Sequence, residues 1–371
     1  MTEWFYPGFK AGGPIRACYN LARLMKDEYD VYIYTTDRDL RSTSPYDTVV
    51  PNQWINFSEN IKVYYASPDN LKWRRIVKEI KTIHATFIYL NSMYSLYFTI
   101  YPLLMKRFGK IKPHIILSPR GMLKESAMQF KYAKKKSFLE ILKFLKINSG
   151  IGFHATDEQE RKDIRKIFGK RNTINIIQDV PPLPEKNLLP VAKKPGELKL
   201  VFVGRIHPLK NLHFVIECLQ KLKPKIKLTV VGPVEDKAYF QYCKTLAKSL
   251  PANISIIFAG EVSNDNIKNY LLRNHFMILP TLGENYCYSI IESFCVGRPV
   301  IITDTTPWLN LTREKIGWDL PLNKPDEFLD VLNSAASMVQ DEFTEWSESA
   351  LSFSQKLFAS NYKSRYEEMF S

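Results

Sequence analysis

The fold is decided by residues 198–211, which read LKLVFVGRIHPLKN. The apolar run 198–203, closed by Gly204, is typical of a fully buried strand. The apolar residues of 212–222 then recur with helical spacing. Further strands are predicted at 227–231, 254–258, 276–279 and 299–303, and further helices at 237–250, 263–273 and 286–295. Strands that alternate with helices in this way predict a parallel sheet covered on both faces.

The first half of the chain has a similar but less regular pattern. Its helices are predicted at 17–25, 71–82, 94–107, 127–146 and 158–168, and its strands at 31–35, 61–65, 86–90, 114–117 and 152–155. Between the halves, residues 178–197 contain five prolines, which exclude regular structure and mark a linker.

We therefore predict an α/β protein of two doubly wound, Rossmann-like domains that face each other across a cleft. Residues 1–180 form the first domain, 181–197 the linker and 198–354 the second domain. A C-terminal helix at about 355–371 is expected to pack back on the first domain. Ligands of such folds bind at the carboxyl ends of the strands.

Composition and charge narrow the function classes. The chain carries 52 Lys and Arg against 38 Asp and Glu, a net charge of +14, which points to an anionic partner. With 45% hydrophobic residues it is neither disordered nor collagen-like. Its five cysteines are scattered without a CxxC pair, and residues 1–9 do not read as a signal peptide. We expect a cytoplasmic protein without a disulfide framework or a zinc ribbon.

Residues 82–105 lack charged side chains over a length that could span a bilayer. They also contain His84, Pro102 and four tyrosines, whose polar groups hydrocarbon would not satisfy. The pattern favours a short strand, a polar turn at 91–92 and a helix over a membrane span.

The turn after residue 203 carries two cations, Arg205 and Lys210. Gly204 lets the chain turn close to a ligand, and a diphosphate is the anion that this arrangement suits. A solvated basic turn explains the same residues equally well.

Two carboxylates follow the predicted strand 276–279. Glu284 lies in the loop and Glu292 two turns into the next helix, whose N-terminal N–H groups suit an anion. Such carboxylates can accept hydrogen bonds from sugar or ribose hydroxyls. In the first domain, Gly12 and Gly13 precede a helix and permit close approach of the backbone to a ligand, although an ordinary turn would look the same.

Together these pieces resemble the retaining glycosyltransferases of family 4, which have the GT-B fold. The matching segments, in the family's order, are 12–13, 118–123, 154–160, 204–211, 279–292, 297–301 and 305–308. The resemblance implies transfer of a sugar from a nucleoside-diphosphate sugar to a glycan or polyprenyl-linked acceptor, in bacterial surface polysaccharide synthesis. It implies no cofactor and no required metal.

The resemblance also assigns roles to residues. Arg205, Lys210 and Glu284 are the implied catalytic residues: the two cations stabilise the donor diphosphate, and Glu284 binds the donor sugar. Glu292 binds the ribose, and the base stacks near 260–262. The implied donor-binding residues are Gly12, Gly13, Gly204, Arg205, Lys210, Gly260, Val262, Glu284, Asn285, Tyr286, Cys287, Tyr288, Ser289 and Glu292. Arg120 and Lys124 are the implied acceptor-side residues.

Three features depart from that family's pattern. The family normally has a buried strand at this point, but only residues 1–6 precede Pro7. Either the true start lies upstream or the first sheet lacks a central strand. Many relatives have His where this chain has Arg120, which is either an anion or acceptor ligand or a structural arginine. Asp37 and Asp39 resemble a metal-binding DxD, but without further context we expect a surface turn. The six histidines form no metal cluster in the sequence.

Most of the excess positive charge lies in residues 101–150, which contain twelve Lys and Arg against two Glu. Within this segment, 127–146 predicts a basic amphipathic helix. Such a helix either lies on an anionic membrane surface, at the inner membrane face, or packs its apolar side in the core.

Two other functions fit parts of the sequence. A basic nucleic-acid-binding protein would explain the charge, but no known nucleic-acid-binding motif is present, and we expect no nucleic-acid partner. A GT-B sugar-nucleotide epimerase would share the fold and convert the donor without an acceptor.

Overall fold

The computed structural model describes residues 1–124, 128 and 132–371. The chain forms two compact units. Unit 1 comprises Met1–Val180 and Asn361–Ser371, and unit 2 comprises Pro181–Ser360. The first boundary coincides with the end of the first domain predicted from the sequence. The segment predicted as a linker belongs to unit 2.

Unit 1 contains two sheets rather than one. Its strands are β1 (Val31–Thr36), β2 (Trp54–Ser58), β3 (Ile61–Ala66), β4 (Phe87–Leu90), β5 (His114–Leu117), β6 (Gly152–Ala155) and β7 (Ile174–Ile176). The first sheet has the order β1-β3-β2, and the second is parallel in the order β4-β5-β6-β7. Strand β2, which the sequence did not predict, pairs with β3 in antiparallel fashion. Asn60, in the two-residue connection between them, has a φ of 56°, as tight hairpins require.

The N-terminal segment lies between these two sheets. The Thr2 N–H donates to Tyr34 O in β1 at 3.2 Å, and the Asn91 N–H beside β4 donates to Met1 O at 3.1 Å. The Met1 ammonium donates to Tyr89 O at 2.7 Å. Residues 1–3 thus join the two sheets by backbone hydrogen bonds, where the resemblance leads one to expect a central strand.

The helices of unit 1 cover both sheets. In chain order they are α1 (Gly13–Met25), α2 (Trp73–Thr82), α3 (Tyr101–Arg107), α4 (Tyr132–Phe144) and α5 (Glu158–Phe168). A π-helical turn at Leu96–Ile100 leads into α3, and no helix of the described residues is long and apolar enough to cross a membrane. Helix α4 is the basic helix predicted at 127–146; Ala127 and residues 129–131 lie outside the described part.

Helix α4 contributes to the core of unit 1. Leu139 and Leu142 are each only 3% exposed and lie in its larger hydrophobic cluster, whereas Ile141 is 55% exposed. The helix therefore packs one apolar edge in the core, as one of the two interpretations from the sequence required.

Unit 2 is built on one parallel six-stranded sheet. Its strands are β8 (Glu197–Val203), β9 (Lys225–Val231), β10 (Ile254–Gly260), β11 (Phe276–Leu279), β12 (Val300–Thr303) and β13 (Gly317–Leu320), in the order β10-β9-β8-β11-β12-β13. Strands β11 and β12 are buried at every position, as expected for strands covered on both faces.

The helices of unit 2 alternate with these strands and then extend beyond them. They are α6 (Leu212–Leu219), α7 (Lys237–Ala247), α8 (Asn264–Leu272), α9 (Tyr288–Cys295), α10 (Pro325–Ser337) and α11 (Gln340–Phe358). The predicted order of strands and helices through residue 303 is confirmed, while β13 was not predicted.

The proline-rich segment is irregular but held firmly on unit 2. The fully buried Arg298 guanidinium donates to Leu189 O at 2.7 Å and to Leu272 O at 3.1 Å. The buried Lys193 ammonium donates to the carbonyls of Ala336 and Met338, near the C-terminus of α10. Carbonyl oxygens at helix ends lack intrahelical partners, so these two cations bind them favourably.

The C-terminal residues belong to unit 1. Helix α12 (Tyr362–Met369) begins after Ser360, the last residue of unit 2, rather than at about 355. Tyr366 is 1% exposed, and its hydroxyl donates to Gln178 O at 3.3 Å. The Phe370 ring contacts the rings of Phe87 and Tyr89. A terminal helix of the chain therefore packs on the first domain, as the sequence led us to expect.

Candidate functional site

The carboxyl ends of β8, β9 and β10 approach one another through glycines. The Gly232 N–H donates to Gly260 O at 2.8 Å, and the Gly204 N–H donates to Val231 O at 3.0 Å. Gly232 has a φ of 144°, and a Cβ there would lie 2.1 Å from Gly204 O. Only glycine permits this contact, and it sets the path of the turn that carries Arg205.

Lys210 and Glu284 form an ion pair at the ends of β8 and β11. Lys210 closes the 3₁₀ turn Pro208–Lys210, and its ammonium donates to Glu284 Oε1. The two side chains are only 15% and 12% exposed. The Thr281 hydroxyl lies 2.9 Å from the same carboxylate oxygen and 3.0 Å from Leu209 O, and so ties the two loops together.

The environment keeps Lys210 charged. Burial, the largest single cause, acts to lower the pKa of its ammonium, but the charge and hydrogen bond of Glu284 together with Cys287 act in the opposite direction, and the net pKa is raised. The positive charge of Arg205 acts in the lowering direction, which shows that the two cations sense each other. At neutral pH Lys210 is therefore a charged, half-buried ammonium beside Glu284.

Helix α9 starts beside this pair. Cys287, its N-cap, has a left-handed backbone with a φ of 63°, and its side chain makes no capping hydrogen bond. Burial first and then Glu284 raise the pKa of the Cys287 thiol to about 12, so the thiol is neutral. The N–H groups of a first helical turn attract anions, so this end of α9 suits one.

The loop before α9 is held in place by residues that follow β12. The buried Trp308 indole N–H donates to Tyr286 O at 2.5 Å, and the two rings are 5.4 Å apart. Thr305 O accepts the Glu284 N–H at 3.4 Å. Residues after β12 therefore hold the loop that carries Glu284.

Arg205 is also part of an ion pair. Its guanidinium lies 2.5 Å from Glu235 Oε2, with side-chain exposures of 42% and 20%. Arg205 is thus the more accessible of the two site cations, and its partner comes from the turn after β9.

The structure therefore brings most of the predicted donor residues to one edge of the sheet of unit 2. Gly204, Arg205 and Lys210 follow β8, Gly260 ends β10, and Glu284 follows β11. Glu292 lies in the second turn of α9, partly exposed between the buried Ile291 and Ser293. The remaining members follow β10, lead into α9 or form its first two residues: Val262, Asn285, Tyr286, Cys287, Tyr288 and Ser289.

Gly12 and Gly13 lie in unit 1, at the start of α1. Gly12 is its N-cap with a φ of 66°, and nothing lies within 4 Å of the position of a Cβ there. The preceding loop is held by Asp39, whose Oδ2 accepts the N–H groups of Phe9 at 2.8 Å and Lys10 at 3.1 Å.

The surface turn expected at Asp37 and Asp39 is therefore wrong. Both carboxylates are buried, at 2% and 6% exposure. Asp37 pairs with Arg38, and Asp39 is satisfied by backbone N–H groups. Charged groups are buried where hydrogen bonds replace water, and a sequence does not show which N–H groups reach them.

Arg120 lies in a closed polar cluster of unit 1. Its guanidinium pairs with Asp179 and donates to Asn91 Oδ1 at 2.6 Å and to the Tyr89 hydroxyl at 3.0 Å. The side chains of Arg120 and Asp179 are 6% and 5% exposed. This geometry favours the structural role that the sequence had left open beside an acceptor role.

The cluster continues to His154. Its Nε2 donates to Ile177 O at 2.7 Å, which leaves Nδ1 to accept the Tyr89 hydroxyl at 2.6 Å. Burial, followed by the charge of Arg120, lowers the pKa of His154 to about 3. Lys124, the other predicted acceptor-side residue, lies 3.8 Å from Asp157 Oδ2.

Some residues of the site were not assigned by the sequence analysis. Thr281 and Trp308 lie in matched segments without a role, and Glu235 was not considered. The signal for Glu235 was its position, three residues after Gly232 at the end of a buried strand. Among the described residues no three His, Cys, Asp or Glu side chains are grouped to hold a metal ion.

Comparison with known proteins finds a family match within unit 2. Residues 185–345 match the profile of the glycosyl transferases of group 1. The chain is 29% identical over 137 residues to the alpha-monoglucosyldiacylglycerol synthase of Streptococcus pneumoniae. This aligned region covers 35% of this chain and 30% of that protein. It is 29% identical over 104 residues to a putative teichuronic acid biosynthesis glycosyltransferase of Bacillus subtilis, covering 28% and 24%. These matches span about a third or less of the relatives.

The fold of the whole chain matches solved structures. The structure of Anabaena HepE in complex with UDP-glucose superposes with a TM-score of 0.69 at 12% identity and covers 99% of this chain and 98% of that one. The neighbours are glycosyltransferases of the GT-B class, so the predicted fold class is confirmed.

Proposed function

We propose, from the premise that residues 185–345 form a group 1 glycosyl transferase domain, that the chain transfers a sugar from a nucleoside-diphosphate sugar to an acceptor. One observation carries the proposal: the Lys210–Glu284 pair beside the N-terminus of α9, with Arg205 on the same turn as Lys210. Two cations and a helix N-terminus suit a diphosphate.

The proposed chemistry depends on charge that develops at the diphosphate. As the bond to the sugar breaks, negative charge grows on the leaving oxygen, and donors fixed beforehand stabilise it. Lys210, with its raised pKa, and Arg205 supply the positive charge. Glu284 binds the donor sugar, Glu292 the ribose, and residues 260–262 the base; Gly12 and Gly13 offer backbone contacts to the diphosphate.

The proposed course is retention, as in family 4, without a required metal. The acceptor attacks from the face that the diphosphate leaves, and a phosphate oxygen takes its proton. The protein then needs no nucleophile of its own; its neutral Cys287 thiol is unsuited to that role.

The proposed acceptor is a glycan or a polyprenyl-linked sugar used in bacterial surface polysaccharide synthesis. Two relatives support this, one named for teichuronic acid biosynthesis and one for a glycolipid. A solved neighbour in complex with UDP-glucose supports a nucleotide-sugar donor.

The donor proposal is tested with a thermal-shift panel of UDP-, GDP- and ADP-sugars. A ligand at about a hundredfold its dissociation constant stabilises the folded state by ~2.7 kcal/mol. We expect one class to raise the melting temperature, and Lys210→Met to reduce the rise. Lys225→Met is the matched control, because Lys225 is exposed at the opposite end of the sheet. No shift with any nucleotide sugar contradicts the proposal.

We further propose that the protein works at the cytoplasmic face of the membrane, bound through a patch of unit 1. Phe108, Ile141 and Leu145 are 61%, 55% and 37% exposed, and the Arg107 guanidinium donates to Leu145 O, which joins α3 to the end of α4. The lysines around this patch are Lys106, Lys110, Lys143 and Lys146. Exposed apolar and basic side chains together suit an anionic bilayer surface.

Flotation with vesicles of phosphatidylglycerol and phosphatidylcholine tests this patch. We expect the protein to float with anionic vesicles, and Ile141→Ser with Leu145→Ser to weaken binding. Ile257→Ser is the control, since Ile257 is 45% exposed in unit 2. Equal binding to neutral and anionic vesicles contradicts the proposal.

A further inference from the structure

The Arg205–Glu235 pair places a carboxylate at the edge of the candidate diphosphate site. Glu235 is the more buried partner, at 20% exposure against 42% for Arg205. A hydrogen bond between two charged groups is among the stronger kinds. Arg205 thus meets any incoming anion with a counter-charge already beside it.

The backbone fixes Glu235 next to Arg205. Ile206, the residue after Arg205, forms a parallel bridge with Val234, and its N–H donates to Pro233 O at 2.8 Å. Ile206 O in turn accepts the N–H groups of Glu235 and Asp236, each at 3.2 Å.

The other end of the Glu235 turn is fixed as well. Asp236 caps α7 by accepting the Tyr239 N–H at 2.9 Å. The turn that carries Glu235 is therefore held on both sides, which keeps the backbone of Glu235 next to Arg205.

We propose that Glu235 is a specificity-determining residue that weakens binding of the nucleoside diphosphate product more than binding of the nucleotide-sugar donor. This inference rests on the proposed function. The product carries an additional ionisable terminal phosphate oxygen, with a pKa of ~6 by analogy with other phosphate monoesters. Near neutral pH it is therefore the more negative of the two ligands.

The consequence is faster release of the product. A carboxylate paired with the cation repels the more charged ligand more strongly and competes with it for the guanidinium. After sugar transfer, the Glu235 carboxylate competes with the product diphosphate for the Arg205 guanidinium, which weakens binding of the product.

The experiment compares wild type with Glu235→Gln, which removes the charge but keeps an oxygen that can accept from Arg205. Calorimetry at low salt measures the dissociation constants of a nucleoside diphosphate and of its sugar derivative, chosen from the UDP, GDP and ADP series. We expect the diphosphate to bind about tenfold more tightly to the variant and the sugar nucleotide about threefold, with both differences shrinking in high salt.

Glu197→Gln is the matched control. It removes an equal charge at the start of β8, the strand whose other end leads to Arg205, so it should leave both constants unchanged. An unchanged ratio of the two constants in Glu235→Gln overturns the inference. Weaker binding of the diphosphate to that variant also overturns it, because Glu235 would then orient Arg205 rather than oppose the ligand.

The two proposals fail in different ways. If no nucleoside diphosphate binds wild type, both the proposed function and this inference are overturned. If a nucleoside diphosphate binds wild type, Lys210→Met weakens that binding, and Glu235→Gln leaves the ratio unchanged, then only the inference about Glu235 is overturned.

Discussion

Two ion pairs, the half-buried Lys210–Glu284 in unit 2 and the buried Arg120–Asp179 in unit 1, have similar chemistry and different surroundings. Each joins residues that follow the ends of parallel strands. Arg120 also binds Asn91 and Tyr89, and its side chain and that of Asp179 are 6% and 5% exposed. The side chains of Lys210 and Glu284 are two to three times as exposed and lie beside the N-terminus of α9, where the N-cap residue Cys287 makes no side-chain capping bond.

This difference in exposure indicates a structural role for the Arg120–Asp179 pair and a ligand-binding role for the Lys210–Glu284 pair. A closed pair with all its groups satisfied contributes to one fixed arrangement, and removing one partner leaves a buried charge. A pair at the end of a sheet, partly open and next to a helix N-terminus, can exchange partners with a ligand. We therefore expect substitutions to reduce stability in the first pair and activity in the second.

The largest expected effect is on stability, from Asp179→Ala. The change leaves the Arg120 guanidinium buried without its carboxylate, which costs ~3–5 kcal/mol for buried pairs. Hydrogen exchange of amides in β4 and β5 measures the free energy of opening of unit 1. Glu140→Ala, which removes an exposed partner of Lys143, is the control and should change it by less than about 1 kcal/mol.

A loss below ~1 kcal/mol in Asp179→Ala would erase the distinction between the two pairs. It would show that Arg120 finds other partners, and the acceptor role proposed for it would regain support.

The second effect concerns turnover, with Lys210→Met. We expect a drop of about 10²–10³ in kcat, comparable to the loss of one preorganised donor at a developing charge. Hydrogen exchange in β8 should change much less than exchange in β4 does for Asp179→Ala. Retained kcat, or a drop matched by unfolding of unit 2, would contradict a catalytic role for Lys210; Lys225→Met again serves as the control.

The sequence predicted the fold best where strands are buried on both faces. Strands β8, β11 and β12 are apolar runs buried over most or all of their length, so their existence and chain order followed directly. Strand β2 was missed because Trp54–Ser58 is only half-buried and pairs through a hairpin turn at Asn60. The unusual contacts of residues 1–3 depend on two sheets at once, which no local pattern encodes.

The sequence predicted the part of the site that depends on strand order and missed the part that depends on register and backbone contacts. Lys210 and Glu284 follow parallel strands, so a shared edge of the sheet was expected, and the ion pair lies there. The pairing of Arg205 with Glu235 was not foreseen, because it depends on the register of Ile206 against Val234. The burial of Asp39 depends likewise on N–H groups thirty residues earlier in the chain.

The third effect is a dependence of stability on pH that arises in both units. Burial lowers the pKa of His154 to about 3 in unit 1 and that of His275 to about 4 in unit 2. The unfolded chain therefore binds protons at these positions below pH ~6.5 while the folded chain does not, so stability is full above that pH and falls as the pH is lowered.

Chemical denaturation of each unit at pH 7 and at pH 5 tests this dependence of stability on pH. Between pH 7 and pH 5 each histidine should remove ~2 kcal/mol from the stability of its unit. His154→Gln should flatten the dependence in unit 1 and leave that of unit 2 unchanged. Unit 1 stability that stays constant from pH 7 to pH 5 in the wild type would refute the assignment of a buried neutral His154.

The smallest effect is backbone strain at the functional pair, at Cys287. A residue with a side chain in the left-handed region costs ~1–2 kcal/mol relative to glycine, and Cys287 has a φ of 63°. Cys287→Gly should therefore be ~1 kcal/mol more stable than Cys287→Ala, a comparison that removes the thiol from both variants. Thermal denaturation of unit 2 measures the difference. Equal stabilities would mean that α9 adjusts its first turn at no cost. A preorganised anion site needs its N–H groups held in place before the ligand arrives. Equal stabilities would therefore contradict the view that the N-terminus of α9 beside Lys210 is such a site.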